Sequence, residues 1–476
     1  MGVELNFPRI ARYMTAFLSC ALMSGCWSSG PVGVDPDRSF SGIRDILSDV
    51  PEGGIVDIFM IHGMRADQPQ TYSDVIGQLV ERLTLTSAPD DPSDHHSGKP
   101  YRLVATAPTV TIDGVTVFDA QNWAAYQPQV TIQRFVTSSG GKHVNFYLFE
   151  YWRALALMKC KFIIAPDTAV VGASARSQYC RSYAATDDRP RLSSSSEFGN
   201  RWLKTEIMEW GLADAVIATS SFRAVLRQAV REMFALALRE SQVRGELAVE
   251  PSSASGETEL SHLATAGRTR FAFISESLGS YVVHDSLAQA TSNMQETVAE
   301  VRFFEHDEDA RRLQEIAPTI VICGASQVHM FANQLALLRF SELKVRDTDR
   351  QAAGESSPGS ADEGAALSGG SHFFRGCPHK GTGANASTEG VRFAARQVVA
   401  YHEPNDLLSY YTSDRPGQVG SQNENTINVV VPFTAKWIWF LVADPGKAHT
   451  GQAGSDRLMN MVVCGHKAAE RSGCGS

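Results

Sequence analysis

The chain has 476 residues, of which 43% are hydrophobic and 20% charged, ordinary proportions for a globular protein that buries a sizeable core. Its formal charge of -9 argues against a nucleic-acid binder, whose phosphate contacts require clustered lysine and arginine. Past the N-terminus, no segment reaches the roughly 18 to 20 apolar residues that a bilayer-crossing helix needs.

The N-terminal stretch "MGVELNFPRIARYMTAFLSCALMSGCWSSG" places Arg9 and Arg12 before an apolar run from Met14 to Met23, followed by Ser-Gly-Cys. That is the three-part layout of an export signal. Its end, "LMSGC", resembles a bacterial lipobox, which implies acylation of Cys26 and a lipoprotein of the cell envelope anchored to the outer membrane; Met23 stands where leucine is more usual. A plainly cleaved signal, leaving a periplasmic protein, is the other reading. Cys20 and Cys26 belong to this leader, while Cys160, Cys180, Cys323, Cys377, Cys464 and Cys474 remain as an even set for which an oxidising compartment allows disulfides. Neither a CxxC pair nor a His/Cys cluster with metal-ligand spacing occurs, so no metal is expected.

Residues 1–26 are read as the export signal and 27–54 as a polar linker, with the main domain over 55–465 and a tail over 466–476. "IVDIFMI" is apolar nearly throughout and reads as a fully buried strand, and "TYSDVIGQLVERLTL" repeats its apolar residues at the three-and-four spacing of an amphipathic helix. "TVTIDGVTVFD" and "QVTIQRFVTSSGGK" look like hairpin strands with Asp-Gly and Gly-Gly turns. "HVNFYLFEYW" is a second buried strand, and the segment from about Glu206 to Glu246 is helical in spacing. Then follow "FAFI" (Phe271 to Ile274), "APTIVICGAS", "ARQVVAYHE", "INVVVPF" and "WIWFLVAD" as further short apolar strands. Segments 101–141, 206–247 and 347–371 are read as insertions, the last rich in Gly, Ser, Ala and acids, and the first two as a possible cap over a site. Apolar strands alternating with helices predict an α/β fold with a mainly parallel, doubly wound sheet. Ligand chemistry on such sheets gathers beyond the C-terminal ends of the strands.

One corner carries the chemical question. In "RFAFISESLGSYVVHDSLAQ" a buried strand turns through Ser275-Glu276-Ser277-Leu278-Gly279 into a helix. A serine hydroxyl is a weak nucleophile until a base takes its proton. A sharp strand-to-helix turn lifts such a hydroxyl clear of the sheet and aims backbone N–H groups at the same point. The turn demands small residues two places to either side, and Ser275 and Gly279 meet that demand, although glycine is the commoner choice at the first. A capping serine in a tight turn is the bland alternative. A tetrahedral oxyanion would need preorganised donors: Leu278 N–H directly after the serine, and Met64 N–H after "MIHG", where Gly63 permits close approach.

A base and an acid are expected later in the chain, acid first. Glu403, Asp406 and Asp414 follow the strand "RQVVAYH", and Asp406 at the end of the Pro-Asn turn is favoured. His449 follows "WIWFLV" and His466 follows "MVVCG", of which His449 is favoured; His284, His329, His372, His379 and His402 break the order.

With these parts assembled, the chain resembles the α/β-hydrolase superfamily of serine esterases and lipases over about Ile55 to Gly465. More narrowly, "ESLGS", "MFANQLALL", "HEPNDLLSYY" and "KAHTGQ" resemble segments of bacterial hydrolase-like lipoproteins. The resemblance implies Ser277 as nucleophile, Asp406 as acid, His449 as base, and Met64 with Leu278 as oxyanion donors. It places "MFANQLALL" beside the site without giving it a role. The expected activity is hydrolysis of a small ester or lipid through an acyl-enzyme, without cofactor. Two other readings stay open: a hydrolase-fold envelope protein that binds but does not catalyse, and an acyltransferase that passes the acyl group to an alcohol or amine.

Overall fold

A computed structural model describes residues 39–63, 70–88, 100–104, 120–139, 141–162, 211–243, 269–291, 324–338, 397–406, 425–432 and 451–469, with shorter pieces that include 33–34, 317–318, 320–321, 408–409 and 448–449. Cys26, Met64, Asp414 and the segment 347–371 lie outside the described residues.

The centre is a ten-stranded sheet. In chain order its strands are β1 (Gly33–Val34), β2 (Ile55–Ile61), β3 (Leu85–Ser87), β4 (Pro100–Arg102), β5 (Gln129–Thr137), β6 (His143–Glu150), β7 (Thr269–Glu276), β8 (Ala325–Phe331), β9 (Gln397–His402) and β10 (Asn425–Val430). Across the sheet the order is β1-β10-β9-β8-β7-β2-β6-β5-β3, with β4 also paired to β5. The run β6-β2-β7-β8-β9-β10 is parallel throughout, and antiparallel strands extend both edges. The chain lays β6 on one side of β2 and then crosses to lay β7 on the other. That reversal is a topological switch point, which opens a crevice at the C-terminal ends of β2 and β7.

Helices cover both faces. Phe59 and Ile61 of β2 join one apolar cluster with residues of α4 (Trp152–Phe162), α5 (Ala213–Thr219), α6 (Arg223–Val243) and α7 (Leu278–Thr291). Val56, Ile58 and Met60 point the other way, into a cluster with α1 (Ile43–Asp49), α2 (Gln70–Leu83) and α9 (Asp456–Ala469). Helices α3 (Ala120–Tyr126) and α8 (Leu335–Leu338) complete the set named here. A strand buried on both faces has no polar side to alternate with, which is why "IVDIFMI" is almost unbroken. Its one charge, Asp57, accepts a 2.7 Å hydrogen bond from the Asn145 amide of neighbouring β6.

Several boundaries differ from those expected. The described parts of segment 27–54 are not a linker: β1 pairs with β10, and α1 packs its Ile43, Ile46 and Leu47 into the second cluster. The main domain also runs past 465. His466 N–H donates to Phe40 O at 3.1 Å and the His466 ring stacks on Phe40, so the C-terminal helix and the N-terminal segment clasp each other. Gly42 and Gly465 make this possible, since a Cβ on Gly42 would lie 2.3 Å from Val463 O and one on Gly465 2.3 Å from Phe40 O.

The cap expected from 101–141 and 206–247 is not what the described parts of those segments form. Strand β5 lies within the main sheet, held in register against β6 by the hairpin turn between them. Helix α6 lies flat on the sheet, where Phe234 meets Phe59 and Phe273 edge-on at centroid separations of 4.9 and 5.8 Å. The strand read in "APTIVICGAS" is displaced as well. Ala317, Pro318, Ile320 and Val321 are helical, and the strand is "ASQVHMF" just beyond.

That strand hides two large polar side chains by pairing them. Tyr401 OH donates to His329 Nδ1 at 3.0 Å, His329 Nε2–H donates to Gln327 Oε1 at 3.0 Å, and Gln327 Nε2 donates to Gly42 O at 3.2 Å. Both ring nitrogens are thereby committed to a neutral imidazole, and burial pushes the His329 pKa down to about 3. The unfolded chain protonates this ring near 6.5 and the folded one does not, so folding stability is full above that value and declines as pH falls towards the folded value. A His329→Gln variant is therefore expected to lose about 1.4 kcal/mol per pH unit of the acid-side slope of unfolding free energy between roughly pH 6 and 4. Urea titrations of both proteins at a series of pH values measure that difference; equal slopes would refute it.

Candidate active site

The crevice at the switch point is where the chosen side chains meet. Strand β7 ends at Glu276 and helix α7 starts at Leu278, leaving Ser277 alone at the corner with φ 52, in the left-handed region. Residues other than glycine, asparagine and aspartate seldom adopt that conformation, and holding one there costs on the order of 1–3 kcal/mol. The corner is held from three sides. Ser277 N–H donates to Phe331 O of β8 at 2.8 Å. A Cβ on Gly279 would lie 2.3 Å from Ile61 O and 2.5 Å from His62 O, so only glycine lets α7 press against the end of β2. A Cβ on Gly63 would lie 2.6 Å from Ser277 Cβ, so the chain leaving β2 passes directly over the serine.

Ser275, the departure from glycine at the motif's first position, is buried and contributes a bond of its own. Its hydroxyl meets that of Ser280 at 3.0 Å, fastening the last turn of β7 to the first turn of α7.

From β9 and beyond come the other two members. His449 Nε2 lies 2.9 Å from Ser277 Oγ, and His449 Nδ1 lies 3.0 and 2.9 Å from the two carboxylate oxygens of Asp406. Asp406 is almost fully buried, and its Oδ1 also accepts Leu408 N–H at 2.9 Å. The turn around it is braced by His402, whose ring bridges Ser409 Oγ and Asn428 Oδ1 at 3.0 Å each. Among the competing acids, Glu403 spends one carboxylate oxygen within the same turn, accepting from Asn405 N and Nδ2 at 3.2 and 2.7 Å. His466 is occupied at Phe40.

On the oxyanion side, Leu278 is the first residue of α7, so its N–H has no acceptor within the helix and faces the corner from the positive end of the helix dipole. Met64 falls outside the described residues; Gly63, just before it, is in place. The turn into this loop is fixed by His62. Its Nδ1–H donates to Gly63 O at 2.8 Å, its Nε2 accepts Tyr151 N–H at 3.3 Å, and Tyr151 OH returns a 2.8 Å bond to His62 O. The two rings stack in nearly parallel planes, their centroids 4.2 Å apart. Burial holds His62 neutral, its pKa pushed down to about 4, with the Lys159 charge adding to the fall. Lys159 is itself paired with Asp214 at 2.6 Å, both side chains buried.

Sequence reading missed three residues around this centre. Glu276 precedes the serine; although part of the residue stays exposed, desolvation of its carboxyl pushes its pKa up to about 7, against the pull of His449 and with a further push from Asp406. Tyr151 could have been noticed as the first residue after β6, at the same rim of the sheet. Gln334, buried in the loop after β8, brings its Nε2 to 3.5 Å from His449 Nε2. Among the described residues no group of His, Cys, Asp and Glu is arranged to hold a metal ion.

Set against protein-family models, curated protein sequences and solved structures, the chain matches none. The geometry alone therefore carries the chemistry: a hydroxyl on a strained corner, hydrogen-bonded to an imidazole whose far nitrogen is held by a buried carboxylate.

The strain at Ser277 is testable without any assay of activity. Ser277→Gly is expected to be more stable than Ser277→Ala by about 1 kcal/mol, because glycine alone accepts the positive φ freely. Denaturant unfolding of the two variants measures this, and an alanine variant at least as stable as the glycine one would refute a strained corner.

Proposed function

We propose that this protein is a serine hydrolase of the α/β-hydrolase type that cleaves carboxylic esters through an acyl-enzyme. The observation that carries this reading is the 2.9 Å approach of Ser277 Oγ to His449 Nε2 at a left-handed strand-to-helix corner. Three further features support it: Asp406 on the far ring nitrogen, the N–H-bearing start of α7 beside the serine, and the position of the corner at a switch point of a mainly parallel sheet.

In this scheme Ser277 Oγ attacks the ester carbonyl while its proton passes to His449 Nε2. Negative charge gathers on the carbonyl oxygen, where Leu278 N–H is one donor and Met64 N–H is the proposed second. His449 then gives its proton to the departing alkoxide, leaving the acyl group on Ser277. A water molecule repeats the sequence, losing a proton to His449 as it attacks, and Ser277 regains that proton when the acid departs. Asp406 fixes the ring's tautomer and stabilises its transient positive charge. No step calls for a metal or an organic cofactor.

The same reading places the protein in the cell envelope, exported by its N-terminal segment and, through acylated Cys26, attached to a membrane. Cys160 and Cys464 are both disulfide-bonded, a state that persists in oxidising compartments.

A fluorophosphonate probe, which reacts only with an activated serine, is expected to label the wild-type protein and not Ser277→Ala. Turnover of p-nitrophenyl butyrate should fall on the order of 10⁵-fold or more in Ser277→Ala, and about 10⁴-fold in Asp406→Asn, with melting temperatures preserved. A wild-type protein that takes no label is instead a hydrolase-like binding protein.

A further inference from the structure

The segment "MFANQLALL" has no part in the scheme above, yet the fold gives it a fixed place. It leaves β8 at Phe331, whose carbonyl holds Ser277 N–H. Ala332 then adopts φ 45, a second left-handed position outside glycine at this rim. Asn333 Oδ1 accepts Leu335 N–H at 2.9 Å, and Leu338 N–H donates to Gln334 O at 3.0 Å. The backbone of Gln334 is thus held from both sides by a turn that itself carries strain. Its side chain is buried, with 1% of the residue exposed, and its amide nitrogen ends 3.5 Å from His449 Nε2.

That placement does nothing evident for the resting imidazole. Asp406 holds Nδ1 at 2.9 Å and Ser277 engages Nε2 at 2.9 Å, whereas 3.5 Å is long for a hydrogen bond. Among the described residues, the carboxamide has no other hydrogen-bond partner. The amide donor is thus only weakly engaged in the resting protein and is free to bind a polar partner that arrives during turnover. Once Ser277 carries an acyl group, Nε2 must face a new partner, which is the water that will be deprotonated. Gln334 Nε2, 3.5 Å from His449 Nε2, is within reach of a water bound at that nitrogen.

Resting on the esterase reading, we propose that Gln334 holds the water that attacks the acyl-enzyme. In this step the water oxygen bonds to the acyl carbon while one water proton moves to His449 Nε2. Gln334 Nε2–H donates to the lone pair of the water oxygen that is not attacking, so that the other points at the carbon. When the carbon–Oγ bond breaks, Ser277 Oγ takes the proton back from His449 and the carboxylic acid departs. Gln334 touches the attacking molecule without exchanging a proton itself, and its influence falls on deacylation. Acylation by an aryl ester, whose phenolate leaves without needing a proton, does not call on it.

Stopped-flow mixing with p-nitrophenyl butyrate separates the two steps. In Gln334→Met, which keeps volume and loses the amide, the rate of the first p-nitrophenolate release is expected to stay within about threefold of wild type, and the following steady rate to fall about 10- to 100-fold, so that a burst appears. Hydroxylamine, a stronger nucleophile that needs less positioning, should restore most of the steady rate. A merely structural role predicts instead that both phases fall together and that hydroxylamine rescues neither. Parallel loss of both phases, or no loss of the second, overturns the proposal. Gln334→Ala gives the same readout should methionine prevent folding, which the melting temperature reports. A wild-type protein that never forms an acyl-enzyme overturns both this proposal and the esterase reading; an active wild type with normal deacylation in the variant overturns this proposal alone.

Discussion

The site depends on one backbone conformation, the left-handed Ser277. With ordinary dihedrals there, β7 would run on or turn elsewhere, and the hydroxyl would lie among the buried side chains of the sheet. Nothing in serine itself favours this geometry. It persists because neighbours on both sides leave no alternative: β8 supplies the carbonyl that takes Ser277 N–H, and β2 supplies the chain that closes over it. The two glycines at 63 and 279 are the steric condition for that closure. Local strain is therefore maintained by the parallel pairing of three adjacent strands, a long-range and cooperative cause.

Around the corner, buried ionisable groups are kept in fixed states by their partners. His62 and His329 each use both ring nitrogens in bonds that only a neutral ring can make. Lys159 faces Asp214, and Arg227 grips Asp285 through two 2.6 Å bonds on the same side of the sheet. Such pairs do little for net stability, since taking charges out of water costs about what their attraction returns. They are sensitive to the loss of one partner, which leaves a buried charge uncompensated. The first pair ties α4 to α5 and the second ties α6 to α7.

Much of this was legible in the sequence, and the failures are informative. The doubly buried strand, the amphipathic α2 and the strand–corner–helix around Ser277 all announce themselves through hydrophobic periodicity, a local signal. Asp406 and His449 could be nominated because the fold pattern that the chain resembles gives their order and the sheet gives the rim they must reach. Strand β8 was misplaced because its polar residues Gln327 and His329 are satisfied by partners far away in the chain, which periodicity cannot register. The same limit hid the docking of Phe40 on His466 and the approach of Gln334 to His449. Composition alone gave 27–54 the look of a linker, although its few apolar residues are spaced to meet α9.

That N-terminal clasp bears on how the molecule is made. Ser41 N–H is held by the side chain of Gln397, a residue 356 positions later, and β1 completes its pairing only with β10. Contacts of such sequence separation form late, because a long loop must close before any of them is rewarded. A ribosome releasing this polypeptide therefore delivers its first strand long before that strand has anything to pair with. Maturation to the native state has to await the arrival of the final helix, so the end made first is among the last to be fixed.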